Sequence, residues 1–334
     1  MNLRAAVIGC GWIGSEVADD PLADGVQSHA GAYAACEGAT LVGVCDADAL
    51  RAARAALRWG LVSGHSSIRD LVRETRPEIV SVCTPDATHA EVIGELLGCS
   101  GIRAIIAEKP LASDAESAAG LVAAAHRAGV VLAVNYSRRF AHSHVAIRER
   151  IASGELGSVQ AVLGAYGKGV AHNGTHWFDL ARWLVGEIET VTAWEAAGDP
   201  TRGGDPNCHV RIEFADGAQG YLTALDERHY TIFEMDVIGS RARVSLRGSG
   251  EDITWCDVLP SARYSGYLML ASPTRMVSGF RDVALHLVDD VIDALRGHRA
   301  PQCTGADGVA ALAVVDAIHR SLAGGGGCEV VKRI

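Results

Sequence analysis

The chain has 334 residues, of which 49% are hydrophobic, and a formal net charge of −10. Its length predicts two domains, no apolar run is long enough to span a membrane, and the acidic balance argues against nucleic acid or an anionic membrane as a partner. Nine cysteines without a C-x-x-C pair indicate buried, reduced thiols. Because the start also lacks a secretory signal pattern, we expect a cytoplasmic protein.

The first predicted strand, Ala5–Ile8, runs into a glycine-rich turn. The sequence G-C-G-W-I-G that begins at Gly9 matches G-x-G-x-x-G directly after a strand, which is the pattern of a dinucleotide-binding turn. In such a turn Gly9 permits the sharp change of direction, Gly11 lets the backbone approach a pyrophosphate, and Gly14 lets the next helix pack close to the sheet. The predicted cofactor contacts here are Gly9, Gly11, Trp12, Ile13 and Gly14.

The stretch after this turn is longer than usual. Between Gly14 and Asp46 lie 31 residues, whereas the fingerprint places its acidic residue roughly 20 residues on. We assign the surplus to residues 19–28, where a proline and a glycine interrupt a helix that resumes over His29–Ala35. Two interpretations of this insert stay open, a loop near the pyrophosphate or substrate and a surface excursion without a role.

The second predicted strand, residues 41–46, ends on Asp46. A carboxylate at this position accepts hydrogen bonds from both hydroxyls of the adenosine ribose and repels a 2′-phosphate. No Lys or Arg follows immediately, although Arg51 lies one turn further on. The sequence therefore predicts NAD as the cofactor in preference to NADP.

Helices and strands alternate through the rest of the first half. Helices are predicted over residues 49–59, up to 75, from 91 and over 114–128, and strands over 78–83, 103–107 and 130–134, which we number fourth to sixth. This alternation predicts a doubly wound parallel sheet with helices on both faces, in which ligands bind outside the carboxyl ends of the strands. Glycine or polar residues follow five strands there: Gly9–Gly14, Asp46, Thr84–His89, Glu108–Pro110 and Asn135.

The second half of the chain shows strand alternation and one amphipathic helix. A strand is predicted over residues 158–167, hairpins over 209–225 and 233–246, a further strand over 252–259, and closing helices over 280–296 and 305–322. Leu180, Trp183 and Leu184 share one face of a helix that carries His176 in its first turn. There the helix dipole disfavours the imidazolium and leaves the neutral imidazole that a general base requires.

Three segments of the first half resemble the glucose–fructose oxidoreductase / inositol dehydrogenase / rhizopine-catabolism (Gfo/Idh/MocA) family. They are the glycine-rich turn, the sequence C-T-P-D-A-T-H that ends at His89, and E-K-P from Glu108, which is the most specific. The resemblance runs over essentially the whole chain. It implies a Rossmann domain over residues 1–134 and an α+β domain over 135–334, built on a large open, mainly antiparallel sheet that binds substrate and forms homodimers or homotetramers. It also implies a cis peptide before Pro110.

The resemblance carries the catalytic assignments as well. The sequence G-T-H-W-F-D from Gly174 resembles the family's Gly-x-His-x-x-Asp catalytic segment, and it implies His176 as the base that takes a hydroxyl proton. Lys109 is expected to donate a hydrogen bond to the substrate oxygen or to carry its proton. Thr84, Pro85 and His89 are expected to border the nicotinamide, with Glu108 and Lys109 between cofactor and substrate.

Further substrate contacts are expected at Arg138, His172 and Asn173. Arg138 belongs to an Arg-Arg-Phe segment typical of the family, with an ion-pair arginine as the alternative. His172 stands where many members have an acidic residue, and this departure weakens an expectation of inositol specificity. A metal held by His172, His176 and Asp179 is a further alternative, but no fourth ligand lies nearby in the sequence, and we predict none.

Together these features predict an NAD-dependent dehydrogenase. It oxidises a secondary hydroxyl of a sugar, aminosugar or cyclitol derivative to a ketone, or runs in reverse. Two alternatives stay open. One is a sugar–sugar oxidoreductase that retains its cofactor tightly, and the other is a non-catalytic NAD(H)-binding sensor with the same fold.

Overall fold

The computed structural model describes residues 2–196 and 204–334. The chain divides into two compact units: Met1–Phe140 with Arg281–Val309, and Ala141–Phe280 with Ala310–Ile334. This differs from a single division after residue 134, because one later segment returns to the first unit.

The first unit contains a five-stranded parallel sheet. The strands are β1 (Leu3–Ile8), β2 (Ala39–Cys45), β3 (Ile79–Val82), β4 (Ala104–Ala107) and β5 (Val131–Val134), in the order β2-β1-β3-β4-β5. Every residue of β3 and β4 is buried, as expected of a parallel sheet covered on both faces. We numbered six strands from the sequence, which was one too many. After β2 only His65 adds a single parallel bridge, to Cys45.

Five helices of this unit lie between or beside the strands. They are α1 (His29–Ala35), α2 (Ala49–Arg58), α3 (Ile68–Thr75), α4 (His89–Leu97) and α5 (Ala115–Ala128). Four of them begin where a side-chain oxygen accepts a backbone amide of the first turn, which satisfies donors that a helix start otherwise leaves open. These N-cap residues are Ser28, Asp48, Ser67 and Asp114.

The segment that returns to the first unit contains α8 (Val283–Leu295), numbered in chain order. Its buried residues include Leu287, Val288 and Val291, and it packs against α1, β4 and β5. The insert holds its start, since Val26 N donates to Asp282 Oδ1 at 3.0 Å. Burial of this apolar face explains why the segment joins the first unit.

The second unit is built on a ten-stranded sheet. Its strands are β6 (Val159–Tyr166), β7 (Ile188–Glu195), β8 (Cys208–Phe214), β9 (Gln219–Ala224), β10 (Phe233–Gly239), β11 (Ala242–Arg247), β12 (Asp252–Pro260), β13 (Leu268–Leu270), β14 (Thr274–Met276) and β15 (Glu329–Val330). The order is β13-β12-β11-β10-β6-β9-β8-β7-β15, with β14 also on β12. All pairings are antiparallel except β6 with β9. The two predicted hairpins and the predicted fold class are confirmed.

Helices α6 (His142–Ala152), α7 (Thr175–Leu184) and the later part of α9 (Gly305–Ala323) complete the second unit. Leu180, Trp183 and Leu184 of α7 are buried in the main core cluster of this unit, as the periodicity predicts. Trp177 is fully buried, and its indole Nε1 donates to Glu234 O at 3.1 Å. Within the described ranges, no helix is long and apolar enough to cross a membrane.

Candidate active site

The carboxyl ends of the parallel strands meet at one edge of the first sheet. The residue after each of four strands donates its amide to the last residue of a neighbouring strand: Gly9 to Cys45 O at 2.8 Å, Cys83 to Ile8 O at 2.7 Å, Glu108 to Val82 O at 2.9 Å and Asn135 to Ala107 O at 2.8 Å. These bonds bring the predicted cofactor segments of the first unit together at this edge.

The glycine-rich turn has the geometry that its pattern predicts. Gly9 has φ +91°, and a Cβ there would lie 2.4 Å from the carbonyl carbon of Cys83. A Cβ on Gly14 would lie 1.9 Å from Gly9 O, whereas one on Gly11 would meet nothing within 4 Å. The turn is therefore tightly packed at its ends and open at Gly11, which suits a bound pyrophosphate.

The chain after this turn does not continue as one long helix. A short 3-10 helix, Glu16–Asp19, is followed by the insert, and α1 then starts beside the turn. The amides of His29 and Ala30 donate to the carbonyls of Ile13 and Gly14, each at 3.0 Å. Trp12 projects outward with 59% of its surface exposed. The turn is thus supported from behind by the start of α1.

Asp46 is buried at the end of β2, with its carboxylate directed at the same turn. Its Oδ2 accepts the amide of Cys10 at 2.8 Å and its Oδ1 accepts that of Asp48 at 2.9 Å. Arg51 lies between two carboxylates, 3.7 Å from Asp46 and 3.5 Å from Glu16. Because a carboxylate offers about four lone-pair positions, Asp46 keeps capacity for ribose hydroxyls.

The segment after β3 contains one open and one occupied polar group. Thr84 Oγ1 is buried and has no hydrogen-bond partner in the part of the chain that the structure describes, and the exposed Pro85 follows it. His89 is fully buried, and its ring nitrogens lie 2.7 Å from Pro110 O and 2.7 Å from Thr84 O. His89 therefore joins two segments of the site through the backbone.

Glu108 and Lys109 follow β4, and the Lys109–Pro110 peptide is cis, as the resemblance implied. Glu108 Oε1 accepts Asn135 Nδ2 at 2.6 Å and lies 3.0 Å from His29 Nε2. Burial alone would raise the pKa of Glu108, but the bonds from His29 and Asn135 and the charge of Lys109 outweigh it and lower that pKa below its usual value. A carboxylate is thus kept ionised next to Lys109, which is itself buried.

His29, Ser81 and Tyr33 are site residues that the sequence analysis missed. His29 Nδ1 lies 2.9 Å from Ser81 Oγ, and Tyr33 Oη lies 2.8 Å from the same oxygen. The available signal was a histidine in an otherwise small and apolar helix, H-A-G-A-Y-A-A. A polar residue buried in such a helix requires a partner.

In the second unit, side chains hold the backbone that leads to His176. Asp205 accepts the amides of Ala171 and His172 through its two carboxylate oxygens, both at 2.9 Å. Asn173 Nδ2 donates to Gly167 O at 2.9 Å. His176 lies in the first turn of α7, but a π-helical turn, Val170–Gly174, runs directly into α7, so the helical backbone begins earlier than predicted. His176 is partly exposed.

Arg138 and Arg139 are both buried. Arg139 forms an ion pair with Asp307 at 3.0 Å and donates to Gln302 O at 3.1 Å, so it fixes the loop before α9. For Arg139 this favours the ion-pair interpretation. Across residues 2–196 and 204–334, no group of three or more His, Cys, Asp or Glu side chains could hold a metal ion.

Comparison with known proteins identifies the family. Residues 3–136 match the profile of the Gfo/Idh/MocA oxidoreductase family, NAD-binding Rossmann fold, and residues 165–245 match the C-terminal domain of that family. The chain belongs to this family. It is an oxidoreductase of the dehydrogenase type, and its Rossmann domain binds NAD.

Curated relatives extend the comparison. An inositol 2-dehydrogenase from Rubrobacter xylanophilus is 36% identical over 167 residues, which cover 46% of this chain and 47% of the relative. This match spans about half the length of that relative. An inositol 2-dehydrogenase from Rhizobium meliloti is 28% identical over 97% of this chain and 98% of its own.

Solved structures share the fold over the full length. A levoglucosan dehydrogenase in complex with NADH superposes with a TM-score of 0.83 at 23% identity, covering 100% of both chains. At this level of identity the likeness establishes the fold.

Proposed function

We propose that this protein is an NAD-dependent dehydrogenase that oxidises a secondary hydroxyl of a sugar, aminosugar or cyclitol derivative to a ketone, or catalyses the reverse reduction. The observation that carries the proposal is the Glu108 carboxylate, which is only 12% exposed and is held ionised beside Lys109. A buried lysine next to a fixed carboxylate supplies a donor where charge develops on a substrate oxygen. Relatives named inositol 2-dehydrogenase support the substrate class.

The cofactor is NAD in preference to NADP. Asp46 keeps free acceptor capacity for ribose hydroxyls, and Arg51 is shared with Glu16, so the site offers little attraction to a 2′-phosphate. Bound NAD supplies the hydride acceptor. The proposed cofactor contacts are Gly9, Gly11, Trp12, Ile13, Gly14, Asp46, Thr84, Pro85, His89, Glu108 and Lys109.

Two residues of the chain handle the substrate proton. His176 takes the hydroxyl proton as the base, and Lys109 donates a hydrogen bond to the same oxygen or carries its proton. Arg138, His172 and Asn173 bind the substrate, and Asn173 offers its amide oxygen because its Nδ2 donates to Gly167 O. The reaction uses no metal.

We infer that the protein works as a homodimer or homotetramer in the cytoplasm. All nine cysteines are free thiols, which suits a reducing compartment. Each residue of β13 is exposed although all are apolar, at an edge of the large sheet. Exposed apolar strand edges favour association between chains.

The test is NADH formation across a panel of sugars, aminosugars, cyclitols and nucleotide sugars, with NAD and NADP side by side. A hit with NAD alone supports the proposal and names the substrate. Activity with NADP alone would contradict the role given to Asp46. Turnover between two sugars without added cofactor would identify the retained-cofactor enzyme, and tight NADH binding without any turnover would identify a sensor.

A further inference from the structure

A continuous chain of buried side chains lies behind Glu108. It runs from Tyr33 through Ser81 and His29 to Glu108, over contacts of 2.8, 2.9 and 3.0 Å. Tyr33 and His29 are each 1% exposed and Ser81 is fully buried. Three elements contribute, α1, β3 and the end of β4, so the chain is a tertiary feature and not a local one. None of its first three members has a part in the proposed chemistry.

The direction of each hydrogen bond in this chain of side chains is fixed by Tyr33, the member furthest from Glu108. Ser81 Oγ is the only hydrogen-bond partner of the Tyr33 hydroxyl among the described residues. A buried hydroxyl without an acceptor is costly, so Tyr33 donates to Ser81. The single Ser81 proton is then directed at His29 Nδ1, which accepts it. His29 therefore carries its proton on Nε2 and donates it to Glu108 Oε1.

We propose that His29 is a positioning residue, locked by Tyr33 and Ser81 as the Nε2–H tautomer, whose N–H holds the Glu108 carboxylate ionised and oriented toward its task beside Lys109. This rests on the proposed function, because it concerns the surroundings of the proton-handling Lys109. His29 is not a proton carrier. The hydrogen-bonded chain of side chains ends at Tyr33. Burial keeps Tyr33 neutral by raising its pKa well above the usual value, so this chain of side chains gives a proton no route to solvent.

The groups that face Glu108 are few. They are His29 from α1, the neutral Asn135 after β5, Lys109, which follows Glu108 in the sequence, and Cys83 after β3. Burial raises the pKa of the Cys83 thiol well above its usual value, so it stays neutral. Loss of the His29 donor therefore leaves Asn135 and Lys109 to stabilise the carboxylate, and the pKa of Glu108 rises.

Two variants separate the donor from the rest of the side chain. In His29→Gln the amide Nε2 replaces the ring Nε2 and keeps a donor near Glu108, whereas His29→Asn places its amide near Ser81 and leaves Glu108 without one. We expect His29→Asn to lower kcat roughly 10- to 100-fold, because losing a hydrogen bond to a charged group costs about that factor. Its acidic limb in the pH profile of kcat/KM should shift to higher pH. His29→Gln should recover most of the rate and the original limb.

Controls keep fold and position apart. His126→Gln, at an exposed site on α5, should leave rate and pH profile unchanged. Circular dichroism and NADH binding report whether each variant is folded. Equal rates and unshifted profiles in folded His29→Asn and His29→Gln would overturn the proposal.

A spectroscopic test stands apart from turnover. In the wild-type protein, 15N NMR of His29 should show a bare Nδ1 and a protonated Nε2, and Tyr33→Phe should admit the other tautomer because Ser81 is then free to turn. A protonated Nδ1 in the wild type would overturn the proposal even in an active enzyme. If no substrate is found, the expected tautomer still supports the inference while the proposed function fails.

Discussion

Carboxylate hydrogen bonds fix Glu108 in the first unit and the backbone of His172 in the second, but the carboxylate has opposite roles in the two places. Glu108 is itself the group being held, by side chains from α1 and from the end of β5. In the second unit the carboxylate of Asp205 holds backbone amides of the segment Lys168–His176. The first arrangement fixes a charge state, and the second fixes a backbone shape.

This difference matches the chemistry assigned to each part. Proton transfer next to a cofactor needs one defined ionisation state, whereas recognition of different sugars needs different side chains on a constant loop. His172, one of the side chains proposed to bind substrate, lies on the loop that Asp205 holds. The predictions below test this contrast, from the largest expected effect to the smallest.

The largest effect is expected from removing the proton-handling groups. Lys109→Ala and His176→Ala should each lower kcat by about 10² to 10⁴, the range for general acid–base groups. NADH binding, followed by fluorescence, should persist in His176→Ala. Lys332→Ala, near the C-terminal end, serves as the lysine control. Near-normal turnover in both variants would sink the catalytic assignment.

The backbone support in the second unit should matter for stability first. Asp205→Ala leaves the amides of Ala171 and His172 without their acceptors and should cost about 2 kcal/mol of unfolding free energy. Asp205→Asn retains one acceptor oxygen and should lose about half as much. Urea unfolding measures both. Equal losses of unfolding free energy in the two variants would show that the paired acceptor oxygens of Asp205 are not the cause of the destabilisation.

The charge state of Glu108 predicts an acid dependence of stability. Its pKa in the folded protein lies below the ordinary value of 4.5, so the ionised form favours folding above that pH. This contribution is lost as the pH falls through the lowered folded pKa. Glu108→Gln should therefore flatten the decrease of Tm below about pH 4.5. Glu91→Gln, an exposed site on α4, is the matched control, and equal curves for both variants would contradict the prediction.

The smallest effect concerns two residues with left-handed backbone, Lys168 (φ 72°) and Arg76 (φ 44°). Glycine removes the strain of such a conformation, so Lys168→Gly and Arg76→Gly should each stabilise the fold by up to about 1 kcal/mol. Only Lys168 belongs to the segment that leads to His176. Thermal unfolding should thus move in both variants and KM in Lys168→Gly alone. A change of KM in Arg76→Gly would break the contrast.

The sequence predicted what is local. The glycine-rich turn, Asp46, and the Glu108–Lys109 segment each follow a strand, so a short pattern is enough to find them. The start of α1 at His29 was also predicted, because a proline and a glycine bound the insert before it.

Features that depend on distant residues were not predictable in this way. Ser81 and Glu108 lie 52 and 79 positions after His29 in the sequence. Only the fold brings these three residues together. The contact of His89 with Pro110 was not predictable for the same reason, since Pro110 follows another strand. The return of α8 required knowledge of which surface its apolar face covers.

That return makes the first unit discontinuous, and this has a consequence for synthesis of the chain on the ribosome. The first unit lacks α8 until residue 295 has been made, by which time the strands β6 to β14 of the second unit have already been synthesised. The second unit in turn requires α9 and β15, which come later still. Synthesis of the two units therefore overlaps, and neither unit is complete before synthesis of the other has begun.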